Sequence, residues 1–161
     1  MITDTEHPLE RVRPSFIEPM QLALVRSLPD GGNWLYEAKL DGYRCLAANR
    51  SGNVVLWSRR GTGFTMRFPQ IARACQKLPP DTLIDGEVVV VDENRRVSFN
   101  ALQYSRPSGH IQFYAFDILV HKGRNLLRLP IEQRRELLEE ALRNVQYPVL
   151  RSISFDAKLP I

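Results

Sequence analysis

NWLYEAKLDGYRCLAANRSGNVVLWSR, residues 33–59, reads as three extended runs (33–40, 43–50 and 53–59) broken at Asp41-Gly42 and at Ser51-Gly52-Asn53. Aromatic and β-branched residues suit a pleated, half-buried surface, and Asp-Gly and Ser-Gly pairs suit tight reversals, so the stretch predicts two antiparallel hairpins. TLIDGEVVVVD (82–92) and IQFYAFDILVH (111–121) add longer strands, with another turn at Lys122-Gly123. Two segments switch to helical periodicity. MRFPQIARACQKL (66–78) lines up Phe68, Ile71, Ala72, Cys75 and Leu78, while PIEQRRELLEEALRNV (130–145) lines up Ile131, Leu138, Leu142 and Val145 behind Pro130. Shorter helices are expected at about 20–28 (from MQLALVRSLP) and at 99–105 (FNALQYS). Helices do not alternate with strands as βαβ units require, so the fold class is α+β: mainly antiparallel sheets with flanking helices.

A chain of 161 residues, 43% apolar and 25% charged, has the size and composition of one globular domain. The net charge of +4 suits a polyanionic partner without requiring one. Cys45 and Cys75 form neither a disulfide framework nor a CxxC zinc signature, and are expected as reduced, buried thiols of a cytoplasmic protein. The opening MITDTEHPLERVRP has no secretory pattern, and no later run is long and apolar enough to cross a membrane, so neither export nor insertion is expected. Residues 1–19, with Pro8, Pro14 and Pro19, are expected to be an extended lead-in, and residues 20–161 the folded unit.

There is no P-loop, no GxSxG elbow and no HExxH, and His7, His110 and His121 are scattered. The informative segment is YEAKLDGYR (36–44). Lys39 stands at the end of an apolar run, with Arg44 just beyond the turn. A nucleophilic amine must shed its proton at neutral pH, which desolvation and neighbouring cations favour. On these residues alone two readings stand: an activated amine, or an edge lysine paired with Glu37 or Asp41.

The order of further elements bears on that choice. KLDGYR (39–44) resembles motif I, KxDGxR, of the covalent nucleotidyltransferases. WSRRG (57–61) resembles the SR element that follows it, LIDGEVVV (83–90) resembles motif III, and FYAFDILV (113–120) resembles motif IIIa. Within that superfamily, GGNWLYEAKLDGYR, FNALQ and LPIEQRRELLEE are most similar to the ATP-dependent DNA ligases of bacterial end joining, over about residues 17–155.

The resemblance implies an adenylation domain of the ligase and mRNA-capping type, whose antiparallel sheets cradle ATP, and a reaction in which positioning and charge neutralisation do most of the work. By position, Lys39 would attack the α-phosphate and hold AMP as a phosphoramide. Glu37 would contact the adenine amino edge, and Arg44 the ribose or phosphates. Arg59 would reach the nucleotide or the 5′-phosphate of a nick. Glu87 would bind a ribose hydroxyl and help hold Mg²⁺ or Mn²⁺, for which oxygen ligands are suited. Phe116 would stack on the adenine face. Plain structural readings stand beside these: Asp85 and Glu87 flanking a Gly86 bulge at a strand start, Phe116 as a core aromatic beside Phe113, Arg59 and Arg60 as surface charge. Asp117 is expected to be structural.

The family pattern continues with an EGxxxK-like motif IV, a motif V with paired lysines and an OB-fold domain, none of which follows the helix at 130–145. The expectation is therefore a C-terminally truncated adenylation domain that ligates poorly alone and self-associates through open sheet edges, with a separate C-terminal or OB-fold portion among its partners. Expected substrates are ATP and nicked or broken duplex DNA. The alternatives are a non-catalytic nucleotide- or nick-binding remnant, and an RNA ligase or capping-type nucleotidyltransferase.

Overall fold

A computed structural model describes residues 8–27, 34–94, 96–103 and 110–155. The elements in chain order are β1 (Tyr36–Glu37), β2 (Tyr43–Arg50), β3 (Asn53–Ser58), α1 (Pro69–Cys75), β4 (Thr82–Val91), α2 (Phe99–Gln103), β5 (His110–His121), β6 (Arg124–Asn125), α3 (Ile131–Leu142), β7 (Val149–Arg151) and β8 (Ser154–Phe155). One sheet runs β3-β2-β4-β5-β6 with every neighbour antiparallel, and β7 joins β5 in parallel. β1 and β8 form a separate antiparallel ribbon.

The Ser51-Gly52 hairpin forms as expected: both residues have positive φ (49° and 97°), as a two-residue reversal with the native twist needs. The Gly52 N–H donates to the Asn49 side-chain oxygen at 2.7 Å. Lys122 and Gly123 make the same kind of turn, with φ of 49° and 72°.

Alternation gives the sheet two buried faces. On one, Cys45, Ala47, Leu56, Ile84, Val88, Val90, Phe113 and Ala115 pack with Phe68, Ile71, Cys75, Leu138 and Ala141 from the helical segments. On the other, Leu46, Ala48, Leu83, Leu119 and Val120 lie under Val12, Ile17 and Trp57. Residues 8–19 hold no helix or strand, yet Val12 and Ile17 pack on this second face and the Arg50 Nε donates to the Pro14 carbonyl at 2.7 Å. Both cysteines are buried free thiols.

Three local expectations are corrected. Residues 20–27 are not helical; Leu22, Leu24 and Val25 are exposed, and a helix of two or three turns with no surface to pack on lacks a driving force. The run at 33–40 is strand only at Tyr36–Glu37, and Asp41-Gly42 closes no hairpin, because β1 pairs with β8 and not with β2. Gly42 serves close approach instead: a Cβ there would lie 2.1 Å from the Val88 carbonyl oxygen. Asp85-Gly86-Glu87 lies mid-strand in β4 and not at a strand start. Of the 99–105 helix, residues 104 and 105 lie outside the described residues.

Candidate functional site

The second face also carries the candidate residues. Arg44 lies opposite Glu87, and Leu46 opposite Asp85, across β2 and β4, so all four share that face. β5 adds Phe116 through a register shift. Gly86 pairs with Ala115 and Asp85 with Asp117, leaving Phe116 as the extra residue of a bulge, a device that re-aims a side chain. Gly86 makes room for the bulge, since a Cβ there would lie 2.4 Å from the Tyr114 carbonyl oxygen and 2.5 Å from the Phe113 ring.

Arg44 organises the cluster. Its Nε and Nη2 donate to the two Asp85 carboxylate oxygens at 2.6 and 2.7 Å, and its guanidinium lies 4.7 Å from the centre of the Phe116 ring. Nη2 also reaches the Met20 carbonyl at 3.4 Å. Asp85 is buried, and burial raises its pKa even against the bidentate pairing with Arg44. Beside it, burial pushes Glu87 up to about 7, against the opposing pull of Arg44, the Gly42 N–H and the Lys39 ammonium. Lys39 is exposed just past β1, with its charge bearing on Glu87. The sequence offered it the cation Arg44 or the carboxylates Glu37 and Asp41; its charge bears on a further carboxylate, Glu87.

Arg44, Asp85 and Phe116 are thus in contact, with Glu87 beside them on the Gly42 N–H and the charge of Lys39 bearing on Glu87. Glu37 is anchored separately: its Oε1 accepts from Nη1 of Arg135, a buried arginine on α3. Arg59 is exposed in the turn after β3, and no contact among the described residues joins it to the cluster. Two surface hollows, about 410 Å³ beside His110 and Tyr147 and about 370 Å³ beside Arg11 and Lys122, contain none of the candidates.

Asp85 and Arg135 were missed as site partners. Arg135 had left a signal, since it falls four residues after Ile131 and three before Leu138, on the apolar stripe of its helix. Asp117 accepts from the Arg134 Nε and Nη2 at 2.8 and 3.0 Å. Among the described residues no group of three or more His, Cys, Asp or Glu side chains could hold a metal ion.

Comparison with known proteins gives one consistent answer. Residues 19–157 match the family described as ATP dependent DNA ligase domain. The multifunctional non-homologous end joining protein LigD of Pseudomonas aeruginosa is 38% identical over 133 residues, covering 80% of this chain and 16% of that protein. The bifunctional LigD of Bacillus subtilis is 34% identical over 148 residues, covering 80% of this chain and 24% of that protein. The chain therefore spans less than a quarter of either relative. Among solved structures, the ligase domain of Mycobacterium tuberculosis LigD superposes with a TM-score of 0.67 at 32% identity, covering 77% of this chain and 41% of that one. A mycobacterial DNA ligase D complexed with ATP gives 0.65 at 32% identity, covering 76% and 40%.

Proposed function

Because the chain belongs to the ATP-dependent DNA ligase domain family, we propose that its second sheet face binds ATP and that Lys39 takes up AMP for the sealing of nicked or broken duplex DNA. The Lys39 Nζ, once it has lost its proton to solvent, forms a bond to the α-phosphorus. The bond from that phosphorus to the β-bridging oxygen breaks, pyrophosphate leaves with the electron pair, and the nitrogen gives up a second proton to solvent to become the neutral phosphoramide N–H. The observation that carries this reading is the Arg44 guanidinium held on the Asp85 carboxylate over the Phe116 ring, on the strand face that also bears Glu87, with the Lys39 charge bearing on Glu87.

The remaining roles follow from chemistry at each position. Phe116 offers a stacking surface, worth about 1–3 kcal/mol for a base. Glu87 has a carboxyl poised near neutrality, able to hydrogen-bond a ribose hydroxyl. Arg44 supplies fixed positive charge toward ribose or phosphates, Glu37 contacts the adenine amino edge, and Arg59 reaches the nucleotide or a 5′-phosphate from its exposed turn. A Mg²⁺ or Mn²⁺ ion carried with the triphosphate would neutralise phosphate charge. Glu87 would hold it, since Asp85 is committed to Arg44. A single carboxylate fits an ion whose other ligands are phosphate oxygens and water.

Incubation with α-labelled ATP and Mg²⁺ tests the reading. Label should become acid-labile and alkali-stable on Lys39, and a Lys39→Ala variant should carry none. Label persisting in the variant removes Lys39 from its role, and saturable ATP binding without any adduct reduces the chain to a binding module.

A further inference from the structure

Resting on the proposed contact between Glu37 and adenine, we propose that Arg135 is a positioning residue that sets the adenine preference of the site by holding Glu37 in register with Phe116. Arg135 lies on α3 and is 8% exposed. A buried guanidinium needs compensation, and here it comes from two sides. Nη1 donates to Oε1 of Glu37, and Nη2 donates to the Ser152 carbonyl at 3.3 Å.

These two contacts close a physical path. Glu37 stands on β1, whose only strand partner among the described residues is β8, so the ribbon is not anchored by the main sheet. The Ser152 N–H donates to the Ala115 carbonyl at 2.7 Å, and Ala115 precedes Phe116, the bulged residue of β5. Arg135 therefore links the residue proposed for the base's edge to the strand that presents its stacking surface. The fork of the guanidinium serves both contacts at once, which a lysine ammonium does not reproduce. Only Oε1 of Glu37 is taken by Arg135; a carboxylate has about four acceptor sites, so Oε2 remains for a 6-amino donor.

The test compares ATP with ITP, which carries an oxygen in place of the 6-amino group, by titration calorimetry on the full chain. The unsubstituted chain should prefer ATP. Arg135→Met should leave ITP affinity within about threefold while cutting the ATP:ITP ratio by about tenfold, the scale of one charge-assisted hydrogen bond. Arg135→Lys, which keeps a charge and a folded chain, should fall between. A folded variant with the ratio unchanged, or one that loses both nucleotides equally, overturns the proposal while leaving the ATP site standing. Failure of the unsubstituted chain to bind ATP removes the nucleotide reading itself and this one with it.

Discussion

Replacing Glu87 by glutamine should stabilise the ligand-free protein at alkaline pH. The Glu87 carboxyl is raised from its ordinary 4.5 to about 7 because burial outweighs Arg44, the Gly42 N–H and Lys39. Between those two values the folded chain holds a proton that the unfolded chain has released. Stability therefore falls as pH rises through that window and is flat above it. The full interval corresponds to at most about 3.4 kcal/mol; Glu87 is only half-buried, and solvent screening reduces this to about 1–2 kcal/mol. For a chain of this length that is a rise of roughly 3–8 °C in Tm. Circular dichroism melts of both proteins across the range should show the advantage of Glu87→Gln growing from about pH 5 to about pH 7.5 and then levelling. Parallel curves, or a less stable glutamine variant at high pH, would refute the claim that burial dominates at this carboxyl.

Gly86→Ala should destabilise by about 3 kcal/mol or prevent folding, because the new methyl meets a backbone oxygen and a fully buried ring with no room to retreat; urea denaturation measures it. Phe116→Leu should weaken ATP binding by about tenfold through lost stacking, while its Tm stays within about 2 °C of the parent because the half-buried ring adds little to the core; calorimetric titration and thermal melts report the two separately.

The strands β2, β3, β4 and β5 were legible to within a residue or two because two-residue turns, alternation and long β-branched runs are local signals. What escaped has distant causes. β1 reads as a strand of eight residues, yet only two pair, since their partner Ser154–Phe155 lies at the far end of the chain and nothing local specifies it. Residues 20–27 have helical spacing, but Met20, Leu22, Leu24 and Val25 are left exposed among the described residues. Lys39, Arg44, Glu87 and Phe116 were singled out through motif order; the placement of Phe116 beside Arg44 depends on the bulge at Asp85/Gly86, which is set by backbone approach. The Glu37–Arg135 pair joins residues far apart in sequence, and only an arginine on an apolar helical stripe hinted at it.

The Arg44–Asp85 pair constrains how a nucleotide can use this face. Asp85 is buried, and removing its partner would strand a charge at a cost of about 3–5 kcal/mol. Arg44 is therefore not free to swing onto a phosphate. A guanidinium has five N–H donors, and Asp85 and the Met20 carbonyl engage Nε and Nη2. Nη1 is left to meet an incoming ribose or phosphate oxygen with the bidentate pair intact. The same fixed guanidinium occupies one face of Phe116, so an adenine that stacks on that ring must take the opposite face. On the proposed reading, Asp85 thus contributes without touching the ligand, by fixing which donor of Arg44 and which face of Phe116 are presented to it.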